Sequence, residues 1–426
     1  MTRAILAATA LGALVLGLLG VLAVGGNLAG TATPVASPTA SASPSATPSE
    51  ASSPAPARPT PRPAPTPDVR VLLTRRLEQL RVEHAIPAVS AAVILPDGTT
   101  WTGASGLADV VAKRRATPDT EFAIASISKT FVAALILQLS AEGRIGLSDA
   151  ASDYLPDQKG LEGITIRMLL NHTSGLHDYF LNPKIDRALR SEPSRGWSPT
   201  RTLGYVGKPY FAPGTGWHYS NTNYLLLGLI AERLDRRPLA VQLRTRFFDP
   251  LKLDGAYYQV AERPRGPTAH GYRFDGVGKR RPPIDLSDNT GIMPFKSVVT
   301  AAGGAGSVAA TARDVARWAR ALYGGEVLDG SELALMLSGV EPSEDYPVGV
   351  PYGMGVQVID IEGHRTYGHS GRLLGFRGVV RHVPANDVTI AVLTNQSRVD
   401  AGVLARDLLL VVLPPPGACE LCPVPS

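Results

Sequence analysis

The apolar residues nearest the start of the chain form an uninterrupted run. After Thr2-Arg3, an uncharged stretch rich in Leu, Ala and Gly extends to about Val24. It exceeds the roughly 7–15 residues of a signal-peptide core and approaches the ~20 residues that span a bilayer. We therefore predict a signal peptide or membrane anchor over residues 1–30. Its length favours an anchor, while small residues at 30–32 leave cleavage open, and either reading places the rest of the chain outside the cytoplasm.

Residues 31–67 lack any apolar pattern and consist almost wholly of Ala, Pro, Ser and Thr. Such a segment cannot bury enough apolar surface to fold, so we predict a disordered linker, which is compatible with an O-glycosylated stalk. In a polyproline conformation, at ~3.1 Å per residue, it would reach about 100 Å. The folded part is then expected over residues 68–413, with a tail over residues 414–426.

Periodic patterns return at both ends of residues 68–413, whereas residues 126 to 320 are mainly helical and loop-like. Strands at both ends predict an α/β (α+β) fold, in which one antiparallel sheet is flanked by helices and a mainly helical domain is inserted. The predicted elements at the two ends are helix Val69–His84, strands Ala88–Leu95 and Thr99–Gly106, strands Gly375–His382 and Val388–Thr394, and helix Ala401–Leu413.

Composition excludes several classes of protein. The chain has 426 residues, of which 44% are hydrophobic, and a formal net charge of +5. Its arginines are scattered rather than clustered, so we expect no nucleic-acid partner. The two cysteines, Cys419 and Cys422, lie in the tail, so neither a disulfide framework nor a cysteine zinc cluster holds the fold. A local disulfide or two unreactive thiols remain open.

A serine and a lysine stand at the start of a long apolar stretch. Val132–Leu139 predicts a helix buried on most sides, and Ser126 and Lys129 are spaced i and i+3 so that they share one face. A serine hydroxyl needs a neighbouring base to act as a nucleophile, and a desolvated lysine can serve as one. Alone, this S-x-x-K spacing favours a helix-capping serine and a surface lysine over a catalytic pair.

Two further polar groups accompany this pair. Tyr219-Ser220-Asn221 lies on a glycine-rich loop just before the apolar helix predicted over Leu225–Leu234. His369-Ser370-Gly371 precedes the predicted strand Gly375–His382, where an edge strand could face a cleft. The three groups together predict one site assembled from distant parts of the chain.

These elements, S-x-x-K, Y-S-N and H-S-G in this order, resemble the motifs of the superfamily of class C β-lactamases and D-alanyl-D-alanine carboxypeptidases. The resemblance implies a β-lactamase/transpeptidase-like fold and extends from about Val69 to Leu413. Further segments similar to that family, in the same order, are Asn171–Leu176, Pro213–Thr215 and Gly303–Ala319.

The resemblance also implies a role for each matched residue. Ser126 would form the acyl-enzyme, while Lys129 and Tyr219 would share its proton, with either as the general base. Asn221 would donate its amide to the acyl side chain of the substrate. The backbone N–H groups of Ser126 and Arg372 would form the oxyanion hole. His369, Ser370, Gly371 and Arg372 together would line the substrate.

His369 departs from the lactamase pattern, which usually has lysine there. A neutral imidazole supplies no permanent cation for a substrate carboxylate, so we expect Arg372 or Arg377 to supply it. The H-x-G form resembles carboxypeptidases and related hydrolases more than dedicated lactamases.

The resulting expectation is a serine hydrolase that acts through an acyl-enzyme without metal or organic cofactor. His172 and His177 lack a nearby acidic ligand pattern and do not predict a zinc site. The expected partner is a peptidoglycan stem peptide ending in D-Ala-D-Ala, or a β-lactam-like small molecule. Alternatives are a β-lactamase, an esterase or D-amino-acid amidase, and a non-catalytic wall or β-lactam sensor.

Overall fold

The computed structural model describes residues 68–274, 283–340 and 350–415. The predicted signal or anchor, the predicted linker and both tail cysteines lie outside these ranges. No helix within them is long and apolar enough to cross a bilayer.

Twelve strands and twelve α-helices lie within the described ranges. The strands are β1 (Ala88–Ile94), β2 (Thr100–Asp109), β3 (Arg114–Arg115), β4 (Phe122–Ala123), β5 (Tyr257–Tyr258), β6 (Tyr272–Arg273), β7 (Ile284–Asp285), β8 (Val308–Ala310), β9 (Gln357–Ile361), β10 (His364–Leu373), β11 (Phe376–Val383) and β12 (Val388–Thr394). The helices are α1 (Val69–Glu83), α2 (Ser128–Ala141), α3 (Ala151–Tyr154), α4 (Ile166–Leu170), α5 (Ile185–Ser191), α6 (Pro199–Leu203), α7 (Asn221–Asp235), α8 (Leu239–Leu243), α9 (Lys296–Ala302), α10 (Ala312–Tyr323), α11 (Gly330–Leu337) and α12 (Ala401–Val412).

Seven strands form the main sheet, in the spatial order β3-β2-β1-β12-β11-β10-β9. Every neighbouring pair is antiparallel. The central pair β1 and β12 comes from opposite ends of the described chain, with Val89 opposite Thr394. This confirms the predicted antiparallel sheet built from both ends. Small sheets β4-β8-β5 and β6-β7 accompany it.

Helices cover both faces of the main sheet. Leu77 of α1 and Leu408 of α12 belong to one apolar cluster with the strands, while α10 contacts β1 and β12 and belongs to a larger second cluster. All seven residues of β1 are buried, as expected for a strand covered on both sides. Each fully buried Leu or Val in these clusters stabilises the fold by roughly 1.5–3 kcal/mol.

Two boundaries near the predicted site differ from expectation. Helix α7 begins at Asn221 rather than Leu225, because the chain turns helical directly after Ser220 as N-cap. His369-Ser370-Gly371 precedes β11 as predicted, but it also lies inside a strand of its own, β10, which is hydrogen-bonded to β11 along its second half. Both differences make the motif residues parts of regular elements, which fixes their backbone.

Candidate active site

Ser126 lies at a sharp turn between β4 and α2. A 3₁₀ turn, Ala125–Ile127, joins the two elements, and Ala125 has φ 50°, in the left-handed region that non-glycine residues rarely adopt. Within residues 121–137, every residue except Ser126 is buried. The turn therefore presents a single hydroxyl at the surface of an otherwise buried segment.

Lys129 is fully buried and its ammonium has three acceptors. Nζ donates to Ser126 Oγ at 2.9 Å, to Asn221 Oδ1 at 2.8 Å and to the backbone carbonyl of Ala305 at 2.8 Å. Ala305 reaches this position because Gly304 packs against α7, where a Cβ would meet the Tyr224 carbonyl at 2.5 Å. The predicted pairing of Ser126 with Lys129 is thus present in the structure.

Burial lowers the pKa of Lys129 to about 7, although the Asp178 carboxylate acts in the opposite direction. Near neutral pH, a substantial share of this amine is therefore uncharged. An uncharged amine keeps two N–H donors, which the fixed oxygens of Asn221 and Ala305 accept. The remaining lone pair then faces Ser126, which is the geometry of a general base.

The amide of Asn221 bridges Lys129 and an acid. While Oδ1 accepts from Lys129, Nδ2 donates to Asp178 Oδ2 at 2.8 Å. Asp178 is 4% exposed, and burial raises the pKa of its carboxyl. The family resemblance implies that Asn221 donates to the acyl side chain of the substrate, whereas in this structure its amide nitrogen donates to Asp178.

Tyr219 stands beside Lys129 on the loop before α7. Its ring centroid lies 5.0 Å from Lys129 Nζ and 4.4 Å from the His172 ring, and the residue is half-buried. A charged Lys129 at this distance would attract the face of the Tyr219 ring and would also stabilise the deprotonated phenol. That Tyr219 takes part in moving the Ser126 proton stays a prediction.

The second half of β10 faces the 3₁₀ turn Ala125–Ile127, the nucleophile turn. Strand β9 pairs with β10 only over His364–Gly368, so the rest of β10 has no strand paired along that edge. This part of β10 contacts the 3₁₀ turn instead. At Gly371 a Cβ would lie 2.1 Å from the Ile124 carbonyl oxygen, so only glycine allows this approach. The approach brings β10 against the segment that carries Ser126, while an oxyanion hole formed by the backbone N–H groups of Ser126 and Arg372 stays a prediction.

Ser370 and Arg372 of β10, and Arg377 of β11, differ in their contacts and exposure. Ser370 accepts from Gln357 Nε2 at 3.1 Å, and its backbone N–H donates to Gln357 Oε1 at 3.0 Å. The side chain of Arg372 is exposed, whereas Arg377 donates to the Ser397 carbonyl at 2.9 Å. Of the two predicted carboxylate-binding arginines, Arg372 is thus the more accessible.

His369 is buried in a chain of polar groups. Its Nε2 lies 3.0 Å from the hydroxyl of Tyr352, which lies 3.3 Å from Nε2 of His172. His369 Nδ1 lies 2.6 Å from the Ser370 carbonyl, and the Ser220 N–H donates to His172 Nδ1 at 3.1 Å. The chain therefore links the loop after α4, the residue before α7 and the edge strand β10.

The direction of donation along this series of hydrogen bonds follows from the groups at its two ends. Burial lowers the pKa of His369 to about 3 and that of His172 well below its ordinary value, so each ring carries one proton. The Ser370 carbonyl only accepts, which places the His369 proton on Nδ1, and the Ser220 N–H only donates, which places the His172 proton on Nε2. Tyr352 accordingly accepts from His172 and donates to His369.

One group within the described ranges has metal-ligand chemistry, and it lies apart from these residues. His270 Nδ1 lies 2.9 Å from Asp285, and its Nε2 lies 3.7 Å from Asp109. Each ring nitrogen of His270 thus faces a different carboxylate, and one ligand atom from each of the three residues lies within 4.8 Å of the others.

Sequence reasoning missed three residues of this site. Asp178 resembles an ordinary capping residue, and it does cap the 3₁₀ turn Tyr179–Leu181. Tyr352 carries no motif, and His172 lies in a segment similar to the family without any local signal for its hydrogen-bond partners. Their contacts join positions far apart in the chain, such as His172 and Tyr352, which are 180 residues apart.

A mixed fold with a buried lysine against an accessible serine defines a serine hydrolase. Residues 73–413 match the family described as Beta-lactamase, and the chain belongs to that family. This confirms the resemblance drawn from the three motifs, and the fold class expected from it.

Relatives share much of the chain. It is 30% identical to penicillin-binding protein 4 of Amycolatopsis lactamdurans over 75% of this chain and 84% of that protein. It is 28% identical to penicillin-binding protein 4* of Bacillus subtilis over 68% of this chain, but spans only 64% of that relative's length. The structure of D-amino acid amidase from Ochrobactrum anthropi SV3 with L-phenylalanine amide superposes with a TM-score of 0.71 at 25% identity, covering 81% of this chain and 99% of that one.

Proposed function

We propose that the chain is a serine carboxypeptidase that cleaves the D-Ala-D-Ala end of peptidoglycan stem peptides through an acyl-enzyme on Ser126. The observation that carries the proposal is the position of Lys129 Nζ, which lies within hydrogen-bond distance of Ser126 Oγ and of two fixed carbonyl oxygens, so that the neutral amine directs its lone pair at Ser126. No other arrangement of the two amine protons keeps both carbonyl oxygens bonded.

The proposed reaction has two halves. Lys129 takes the Ser126 proton while Oγ attacks the carbonyl carbon, and the backbone N–H groups of Ser126 and Arg372 stabilise the oxyanion. Tyr219 shares this proton and passes it to the leaving amine as the C–N bond breaks. Water then attacks the carbonyl carbon of the ester and gives one proton to the same base. The C–Oγ bond breaks and the base returns this proton to Oγ, which releases the acid product and regenerates Ser126.

The substrate class rests on three supports. Two relatives carry the name penicillin-binding protein. The predicted signal or anchor over residues 1–30 would place the enzyme outside the cytoplasm, secreted or held at the membrane. The predicted linker over residues 31–67 would let it reach the cell wall from there.

A D-amino-acid amidase is the second candidate, favoured by a specific observation. Where the lactamase pattern has a lysine, His369 is neutral and 1% exposed, so this position offers no fixed positive charge to a substrate carboxylate. An amide substrate needs none, and the D-amino acid amidase structure is similar to this one.

The test follows Ser126 directly. The purified full chain, in mild detergent, is incubated with benzylpenicillin, and its intact mass is followed over time with Ser126→Ala as the control. A long-lived adduct that requires Ser126, with release of D-alanine from an N-acylated D-Ala-D-Ala peptide, supports the carboxypeptidase. Rapid loss of the adduct with accumulating product indicates a β-lactamase.

Hydrolysis of D-phenylalanine amide without peptide cleavage would replace the first candidate by the second. Equal turnover by Ser126→Ala would contradict both candidates. Absence of any adduct and of turnover on the peptide, the amide and a p-nitrophenyl ester would favour the non-catalytic sensor.

A further inference from the structure

We infer that Asp178 is a positioning residue that sets which way the Asn221 amide faces and, through it, where the lone pair of Lys129 points. Asp178 bonds to Asn221 and not to Ser126 or Lys129. The inference rests on the proposed roles of Ser126 and Lys129 and goes beyond them.

The first step is the orientation of the amide. A carboxylate only accepts hydrogen bonds, and one oxygen of Asp178 already accepts from the Phe180 N–H at 2.9 Å. The other oxygen accepts from Asn221 Nδ2 at 2.8 Å, so the amide nitrogen must face Asp178. Its oxygen then faces Lys129 at 2.8 Å. Asp178 is buried, so bulk water does not replace it easily as a partner.

The second step links the amide to the base. With Asn221 Oδ1 and the Ala305 carbonyl as acceptors, neutral Lys129 spends both protons on them and turns its lone pair to Ser126. A reversed amide would present an N–H to the amine. That N–H would compete with the Ser126 hydroxyl for the lone pair. The lone pair would then accept from Asn221 and would not be available to take the Ser126 proton.

The third step concerns charge. Of the titratable groups in the described ranges that act on Lys129 or lie against it, Asp178 is the one carboxylate, and the others are two neutral imidazoles and two tyrosine rings, namely His172, His369, Tyr219 and Tyr224. Asp178 therefore opposes the effect of burial on the lysine as well as orienting the amide. Removing its charge should make the Lys129 ammonium easier to deprotonate.

The decisive variants are Asp178→Asn, Asn221→Asp and the exchange Asp178→Asn/Asn221→Asp. In Asp178→Asn, the new amide has only one oxygen to accept from both the Phe180 N–H and Asn221 Nδ2. One of these donors then faces the new NH₂ group, so the orientation of the Asn221 amide is no longer fixed. In Asn221→Asp, two carboxylates face each other. The exchange restores one donor and one acceptor between the two side chains while moving the negative charge next to Lys129.

Acylation by a p-nitrophenyl ester is measured from pH 5 to pH 9, alongside thermal unfolding. We expect Asp178→Asn to acylate about 10- to 100-fold more slowly, the equivalent of one unsatisfied buried polar group. We expect the exchange to recover at least about tenfold over either single variant, with its acidic limb moved to higher pH because the charge is closer. Asp157→Asn, an exposed acid, controls for loss of one charge.

A wild-type rate and pH profile in Asp178→Asn would overturn the inference. An exchange no faster than the slower single variant would also overturn it, because packing alone would then explain the loss. If Asp178→Asn fails to fold, the comparison of the exchange with Asn221→Asp decides. Acylation that persists in Ser126→Ala would instead refute the proposed function, so the two failures are distinguishable.

Discussion

The hydroxyl of Tyr352 lies 3.0 Å from Nε2 of His369 and 3.3 Å from Nε2 of His172, so that one phenol joins two buried imidazoles. A second proton on His369 would have to sit on Nε2, which would reverse its hydrogen bond with Tyr352. The hydroxyl proton of Tyr352 would then have to turn to another acceptor. The hydrogen-bond pattern and burial thus act together to keep His369 neutral.

Tyr352→Phe is expected to lower kcat/KM about 10- to 100-fold, because a donor on His172 and an acceptor on His369 both lose their partner in a buried site. ¹⁵N NMR of the ring nitrogens provides the structural readout. In the wild type it should show His369 protonated on Nδ1 and His172 protonated on Nε2. The opposite tautomer of His369 in the wild type would refute the direction of the chain.

The acylation rate is expected to rise about tenfold per pH unit up to about pH 7 and then to level off, because neutral Lys129 is the base and its pKa is about 7. Stopped-flow acylation across this range measures the limb. Lys129→Arg, which keeps the charge but cannot lose it, should lower the rate roughly 10²- to 10⁴-fold. Lys159→Arg, at an exposed lysine, is the matched control. A flat profile in the wild type would argue against Lys129 as the base.

Gly371→Ala is expected to slow acylation by about 100-fold and to destabilise the fold by about 1–3 kcal/mol. The new methyl group would lie 2.1 Å from the Ile124 carbonyl oxygen, so β10 and the nucleophile turn must separate. Acylation kinetics and urea unfolding measure the two effects. Gly330→Ala, where no atom lies within 4 Å of the added methyl group, should change neither. Normal acylation by Gly371→Ala would show that the close approach is dispensable.

Glu121 makes stability depend on pH. Burial raises the pKa of its carboxyl from 4.5 to about 7, so the native state holds a proton that the unfolded chain releases. Its contribution is complete below about pH 4.5 and is lost as the pH rises through about 7, to the extent of about 3 kcal/mol.

Glu121→Gln should therefore gain about 2 kcal/mol over the wild type on going from pH 5 to pH 8, as measured by urea unfolding at both values. The gain is expected because a neutral amide has no proton to lose. Glu326→Gln, at an exposed glutamate, should gain nothing. Equal pH dependence in Glu121→Gln and the wild type would place the effect on other groups.

Local sequence patterns were sufficient to predict the elements that have a regular pattern of apolar residues. The apolar run of β1 and the one-sided apolar pattern of α1 predict those elements to within a few residues. Ser126 and Lys129 were also predictable, since a helical turn brings i and i+3 together without help from the rest of the fold.

Contacts that depend on tertiary packing were not predictable in this way. Asn221 has a motif, but the partner of its amide nitrogen is Asp178, 43 residues away. Gln357 orients Ser370 across two strands whose register no short pattern specifies. The sequence therefore indicates which residues carry the chemistry, whereas the packed structure decides how they are oriented.

The pairing of β1 with β12 has a consequence for the order in which the chain acquires its structure. Residues that lie about 300 positions apart, such as Val89 and Thr394, must meet before the middle of the sheet exists. Such distant pairing makes folding slow, because a long loop must close before any contact offsets its entropy. A growing polypeptide at the ribosome lacks this central pair until residue 394 has emerged. The strand that borders the nucleophile, β10, is likewise made late, so the enzyme is expected to become active only after nearly all of its chain has been synthesised.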